Sequence, residues 1–457
     1  MTNENENQNR NADYNRRDFL KGGSAATLMT MLGGVQLFAQ TNTAPAEAKS
    51  VGPKVKIAVI GLGTWGREIV NTLARLPQAD LAAICDTYPA SVRRTASAAP
   101  GALQTEDFKT ILDNKDIKAV VIATPSHQHK DVVLAALKAG KHVYCEAPLA
   151  NTIDDARAIA AAAKAAKQVN FQAGLQFRAD PQRHFLLPFI RSGALGQSLM
   201  ARAQFHKKQS WRQVSPKPER EKELNWRLSK DTSTGLAGEI GIHAMDQATW
   251  FLNAHPVAVT GFGSLALWKD GRDVDDTVEA RIEFPGGVFM NYNATLANSF
   301  DGEYEMLYGS DAAVMMRESK AWMFKEVDSP LLGWEVYARK ETFYKETGIA
   351  LVANASKSVP ANQQASQDAA ITSTPLAYAL TTFLRNSADV GAAVEDALAV
   401  IGPDDTEQLA AQIAKVQKRP AAGYQEGLQA TVLAIKANEA VQAQQRIEMK
   451  KEWSELS

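Results

Sequence analysis

Cysteine is nearly absent, with Cys85 and Cys145 the two thiols in 457 residues. A secreted fold stapled by disulfides carries more of them at regular spacings, so that class is excluded. Both cysteines end apolar runs that read as non-neighbouring strands of one sheet, which makes them buried thiols. An excess of one charge is lacking too. The 50 Lys and Arg against 51 Asp and Glu leave a net charge of −1, no electrostatic footprint for nucleic acid or an anionic membrane. No stretch approaches the ~18–20 apolar residues of a membrane span. His127, His184 and His255 show no ligand spacing with carboxylates or thiols, so no catalytic metal is expected. What is present is 45% hydrophobic residues in a chain long enough for two or three domains. The partners this leaves are a small molecule and another copy of the chain.

Residues 1–46 read as a leader. Residues 1–14 are polar and rich in Asn and Glu. The run N-R-R-D-F-L-K, with Arg16 and Arg17 adjacent and Phe19, Leu20 and Lys21 behind them, precedes a weakly apolar stretch over 22–39. It resembles a twin-arginine export signal, whose cargo crosses already folded. Cleavage after Ala39 and after Ala46 both fit. The address implied is the periplasm of a diderm bacterium, and a nicotinamide protein exported there has to carry its cofactor with it.

From residue 54 the pattern alternates. K-V-K-I-A-V-I leads into G-L-G-T-W-G over 61–66 and a helical pattern to Leu76. D-L-A-A-I-C-D ends a second strand at Asp86, and a third spans 117–125. A helix over 129–138 precedes the strand K-H-V-Y-C-E, ending at Glu146. An Ala-rich helix over 153–167 precedes V-N-F-Q-A-G, ending near Gly174. Strands alternating with helices predict an α/β fold, a doubly wound parallel Rossmann sheet over 54–175. Residues 176–457 predict a second, α+β domain. Residues 198–206 and 257–330 carry alternating segments, with Gly286 and Gly287 at a hairpin turn, which predicts an open, mostly antiparallel sheet. Residues 353–374 read as an irregular connection, and two long helical segments close the chain, the last reaching Leu456. The free face of an open sheet predicts self-association as a dimer or tetramer.

Gly61, Gly63 and Gly66 follow a strand and open a helix, and Asp86 stands at a strand end twenty residues on. Glycine lets the backbone approach a pyrophosphate, the helix N-terminus supplies donors, and the acidic residue accepts from ribose hydroxyls. That carboxylate repels a 2′-phosphate and favours NAD. Arg93 and Arg94 follow closely enough to keep NADP open.

G-L-G-T-W-G, the strand end C-D, T-P-S-H-Q-H (124–129), G-K-H-V-Y-C-E-A-P (140–148) and G-E-I-G-I-H-A-M-D (238–246) together resemble the glucose–fructose oxidoreductase / inositol dehydrogenase family, Gfo/Idh/MocA. The resemblance implies a cofactor site that takes in Thr64, Trp65, Thr124, Pro125, His129, Glu146 and Ala147. It implies His243 as the group that exchanges the substrate hydroxyl proton, suited by an ordinary pKa near physiological pH. Two departures stand out. The family's E-K-P reads E-A-P here, so Ala147 replaces a lysine that polarises the substrate oxygen. Its Asp four residues before the histidine is Glu239, a longer carboxylate placed to orient His243 or assist it.

Arg178, Trp211, Trp226, Arg227 and Asp246 are the candidate substrate contacts, the tryptophans by stacking on a sugar ring, with Lys207 and Lys208 as stand-ins for the missing lysine. The expectation is an NAD(P)-dependent oxidoreductase acting on a carbohydrate with tightly held cofactor. A redox-neutral NAD-dependent glycosidase that oxidises, eliminates and re-reduces is the alternative, and a non-catalytic cofactor-bound sugar-binding protein the third reading.

Overall fold

In the computed structural model, which describes residues 53–456 except 216, 319, 334, 336–339, 344–345 and 352–373, the β-branched runs of the first third form a single sheet. Its strands are β1 (Val55–Ile60), β2 (Ala79–Cys85), β3 (Leu103–Thr105), β4 (Ala119–Ile122), β5 (His142–Cys145) and β6 (Phe171–Ala173). They pair in parallel in the order β3-β2-β1-β4-β5-β6. The strand order reverses between β1 and β4, so the crevice at their carboxyl ends is where such a sheet binds ligands. Helices α1 (Thr64–Leu73), α2 (Pro89–Thr95), α3 (Phe108–Asp113), α4 (His129–Lys138) and α5 (Ile153–Ala165) cross between the strands. Three-residue β3 carries too few positions to show a period. Cys85 and Cys145 are buried free thiols on β2 and β5, which are not neighbours.

The second sheet is the expected open one, larger and mixed. Its strands are β7 (Ser198–His206), β8 (Ala258–Ser264), β9 (Thr277–Glu283), β10 (Phe289–Thr295), β11 (Glu303–Gly309), β12 (Ala312–Arg317), β13 (Lys320–Lys325), β14 (Lys340–Phe343), β15 (Glu346–Leu351) and β16 (Arg446–Glu448). The order is β14-β15-β13-β12-β11-β7-β10-β9-β8-β16, with β7 and β10 the parallel pair. Gly286 and Gly287, both at positive φ, make the turn joining β9 to β10. Strand alternation sends Ala201, Ala203, Ala280, Ile282, Met290 and Tyr292 into one core. The other face shows Phe262 to solvent, and Leu199 is exposed at the start of β7, where the register with β11 shifts.

The helices of this half are α6 (Pro181–Phe189), α7 (Pro218–Leu224), α8 (Gly235–Glu239), α9 (Gly241–Leu252), α10 (Pro375–Ile401), α11 (Thr406–Ile413), α12 (Tyr424–Ala443) and α13 (Lys451–Ser454). Leu376, Leu380, Phe383 and Leu384 of α10 pack on Ile57, Val59, Val121 and Tyr144 of the first sheet. Each such buried side chain contributes roughly 2 kcal/mol, so α10 is a substantial part of that sheet's cover. Leu428 and Val432 of α12 join the core on its other face, while Leu433 and Val441 join the core of the second sheet. The last long helix, α12, stops at Ala443 rather than near Leu456. Gln444 turns left-handed there, and the chain adds β16 to the edge beside β8. The leader and the connection at 353–373 lie outside the described residues, and Thr374 caps α10 through its hydroxyl.

Candidate active site between the two sheets

The glycine turn is shaped by contacts that only glycine tolerates. Gly61 has φ +96°, and a Cβ there would lie 2.5 Å from the Ala123 carbonyl oxygen. A Cβ on Gly66 would run into the Gly61 carbonyl oxygen. Gly63 differs, since a Cβ there meets nothing within 4 Å and so faces the crevice. Gly63 caps α1 without a side-chain bond, leaving the first N–H groups of the helix, at Thr64 and Trp65, pointed at the crevice. Asp86 accepts from Leu62 N at 2.8 Å and Tyr88 N at 2.7 Å. It is thereby locked beside the turn with lone pairs to spare for a ribose.

At the ends of β4 and β5 several polar atoms lack partners. Thr124 Oγ1, His127 Nδ1 and Glu146 Oε1 are buried without a hydrogen bond. A bound dinucleotide would give such atoms partners, so the residues present fit one. Burial pushes the Glu146 carboxyl up to about 7, against the Trp65 indole N–H, the Ala147 main chain and the Arg227 charge, which pull it down. Gly174 makes room for it, because a Cβ there would lie 2.8 Å from Glu146 Oε2. The Ala147–Pro148 peptide is cis, and half-buried Ala147 offers the crevice only a methyl group. Pro125 starts the turn that carries Ser126 and His127.

His129 departs from expectation. Its Nε2 lies 2.8 Å from the Thr124 carbonyl and its Nδ1 3.1 Å from the Pro148 carbonyl. The ring is buried, and desolvation lowers its pKa to about 4. Its nitrogens face these two carbonyls, the neutral ring donating to one of them, so His129 packs between the Thr124 and Pro148 turns rather than facing a nicotinamide.

The opposite wall comes from the second domain. His243 sits in the first turn of α9, half-buried, edge-on to Phe177 at 6.1 Å. Its Nδ1 has no partner, and desolvation holds the imidazole down to about 4, so the ring is a neutral base at physiological pH. Glu239 does not orient it. Glu239 Oε1 instead accepts from Ser126 Oγ at 3.1 Å, Thr234 N at 3.1 Å and Thr234 Oγ1 at 2.9 Å. The kink at Ile240 between α8 and α9 separates the two side chains that sequence spacing puts on one helical face.

Arg178 and Asp246 pair with one another. Nε donates to Oδ2 at 2.9 Å and Nη2 to Oδ1 at 2.8 Å, and Arg178 also lies 5.2 Å over Trp250. This buried pair is a packing element, which corrects the expectation of two substrate contacts. Trp211 and Trp226 both lie against Arg227, with ring centroids 5.7 and 5.0 Å from its guanidinium carbon. Lys207 and Lys208 are exposed on the strand-end loop, their main chains bonded to Thr295 and Ser299. Ser126, His127, Thr234 and Phe177 join the site without having been singled out. Ser126 and Glu239 are 113 residues apart, and no local pattern announces that contact. Among the described residues no group of three or more His, Cys, Asp or Glu side chains is placed to hold a metal ion, and no helix is long and apolar enough to cross a membrane.

Residues 55–174 match the model of an oxidoreductase family with an NAD-binding Rossmann fold, and residues 188–314 match the GFO/IDH/MocA C-terminal domain. Residues 13–33 match the twin-arginine translocation signal. The chain is 31% identical over 213 residues to a levoglucosan dehydrogenase of Pseudarthrobacter phenanthrenivorans, covering 42% of this chain and 52% of that protein. It is 27% identical over 263 residues to a 1,5-anhydro-D-fructose reductase of Ensifer adhaerens, covering 57% and 74%. The chain thus spans about half the length of the first of these relatives. A levoglucosan dehydrogenase solved with NADH and L-sorbose superposes with a TM-score of 0.63 at 20% identity, covering 87% of this chain and 99% of that one. At that identity the likeness concerns the fold.

Proposed function

The chain belongs to the Gfo/Idh/MocA oxidoreductase family and carries a twin-arginine export signal; from that premise we propose that it is a periplasmic NAD(P)-dependent oxidoreductase acting on a sugar or sugar derivative with tightly bound cofactor. The observation that carries the reading is a set of buried polar atoms without partners, Thr124 Oγ1 and Glu146 Oε1 at the carboxyl ends of the first sheet's strands and His243 Nδ1 in the second domain, in two domains that the Ser126–Glu239 bond joins. A nicotinamide held there would supply the hydride acceptor or donor.

The chain's own residues do the rest. The α1 N-terminus and Gly63 hold the pyrophosphate, and Asp86 accepts from the ribose. That carboxylate supports NAD over NADP. Neutral His243 takes the hydroxyl proton as the carbinol carbon is oxidised, and returns it in the reverse direction. The export signal favours a cofactor that leaves each turnover as it entered, because nicotinamide cofactors are cytoplasmic metabolites. Sugar-to-sugar hydride exchange meets that condition, and so does a redox-neutral glycosidase. An exposed apolar residue on the free face of the second sheet, Phe262, with Leu199 exposed at the start of β7, supports self-association.

The test begins with the purified mature protein. Denaturation releases nicotinamide into the supernatant, and a panel of free sugars, polyols and aryl glycosides changes the absorbance of the bound reduced cofactor. Aglycone release without net reduction selects the glycosidase. Cofactor present with neither signal selects a sugar-binding protein and overturns the enzyme reading.

A further inference from the structure

We propose that Arg227 is the oxyanion-stabilising group of this crevice, its guanidinium donating to the substrate oxygen that becomes negative during hydride transfer. The inference rests on the sugar oxidoreductase reading above. In oxidation of a carbinol, the O–H bond would give its proton to His243, a bound oxidised nicotinamide would take the C–H hydrogen with its electron pair, and a C=O bond would form. Between those events the oxygen carries charge, and a crevice poor in water has to meet it with a fixed donor.

The other candidates for that donor are spent or misplaced. Ala147, beside Glu146, is a methyl group. Arg178 is paired with Asp246, Arg183 with Asp180 and Glu305, and Arg212 with Asp270 and Glu221. Lys207 and Lys208 sit exposed on a loop beyond β7, and the charge of Lys207 acts on Glu303.

Arg227 is different. Its nearest carboxylate oxygen, Glu239 Oε2, is 3.8 Å from Nε, beyond hydrogen-bonding range, and Nε is buried without a partner. The side chain keeps 40% of its surface exposed. The faces of Trp211 and Trp226 restrict its plane by cation–π contact. Trp211 is held at φ +62°, a conformation L residues rarely adopt, so the loop accepts strain to keep that indole in place. Trp226 also lies 5.9 Å from the His127 ring, and the Arg227 charge acts on the Glu146 carboxyl. The guanidinium therefore stands across from the ends of β4 and β5, rigidly held and with donors uncommitted. Glu239, immobilised by three donors on its other oxygen, positions Arg227 without consuming it.

The experiment uses the cofactor-loaded mature protein as wild type, Arg227→Ala, Arg227→Lys and the double variant Ala147→Lys/Arg227→Ala. The probes are levoglucosan, myo-inositol, free hexoses and aryl glycosides. Nicotinamide content, sugar Kd by calorimetry and single-turnover change of the bound nicotinamide are read on each. Arg227→Ala is expected to keep its cofactor and hold Kd within about threefold, while hydride transfer slows by ~10²–10³. Added guanidinium chloride, Arg227→Lys and the double variant each recover part of that rate, which a packing defect would not allow. Three results overturn the proposal: an unchanged rate in Arg227→Ala, equal losses in Kd and rate, or loss of the nicotinamide itself. A wild type that exchanges hydride with no sugar in the panel overturns the oxidoreductase reading instead, so the two failures are distinct.

Discussion

Ser126, on the turn after β4, donates its hydroxyl to Oε1 of Glu239, in the second domain, at 3.1 Å, and both side chains are buried. The bond joins the nucleotide-binding turn to the wall that carries His243, and the same oxygen also takes Thr234 N and Thr234 Oγ1. Glu239→Ala strands three donors and should cost about 2–4 kcal/mol, since each buried group left unsatisfied costs about 1–3 kcal/mol and some relax. Glu239→Gln keeps an acceptor oxygen and should lose less than half of that. Chemical denaturation of both variants checks the order, and a Gln variant as unstable as Ala would contradict the joint.

The glycine turn separates folding from binding. Gly61→Ala places a methyl against the Ala123 carbonyl at a φ of +96°, so its melting temperature should fall, by about 1–2 °C for each kcal/mol of strain in a chain of this size. Gly63→Ala meets nothing within 4 Å and should fold normally. Its methyl occupies the approach of the pyrophosphate, and the purified variant should contain little nicotinamide. Normal cofactor content in Gly63→Ala would place the phosphates elsewhere.

His243→Ala should reduce turnover by ~10²–10⁴, the range for a removed acid–base group, with cofactor content unchanged. The wild-type pH profile carries a second signature. The imidazole is held down to about 4 by desolvation, so its basic form persists as pH falls through 6.5, where an ordinary histidine becomes cationic. The His243 limb of the profile should therefore lie near pH 4. A limb near 6.5 would place the titrating group in a wetter position than this one.

Arg178 and Asp246 give a stability test. Their side chains are 15% and 5% exposed, so Asp246→Ala leaves a guanidinium largely buried and uncompensated, at a cost of about 3–5 kcal/mol. Arg178→Met/Asp246→Leu removes both charges and should cost much less. Equal costs would mean that the pair is not the element that matters.

Much of the site was legible because its logic is local. Gly61, Gly63, Gly66 and Asp86 announce a dinucleotide turn, since phosphate approach demands glycine at short fixed spacings, and the alternating runs of β1, β2, β4 and β5 demand a parallel sheet. The quoted family motifs pointed to Glu146 and His243, each of which the fold leaves with a buried atom lacking a partner. What failed did so through distance or through an interruption of periodicity. Glu239 and His243 share a helical face on paper, but the kink at Ile240 parts them. His129 is braced by carbonyls from two different turns.

The sequence by itself determined the doubly wound sheet, the glycine turn and the export signal, because each is written in neighbouring residues. Tertiary structure alone decided which charges are free to act. Arg178 is neutralised by a partner 68 residues away, while Arg227 is framed by two indoles and left with donors to spare. Whether a cation is spent or available depends on what the fold brings within 3 Å of it, and separation along the chain carries no record of that distance.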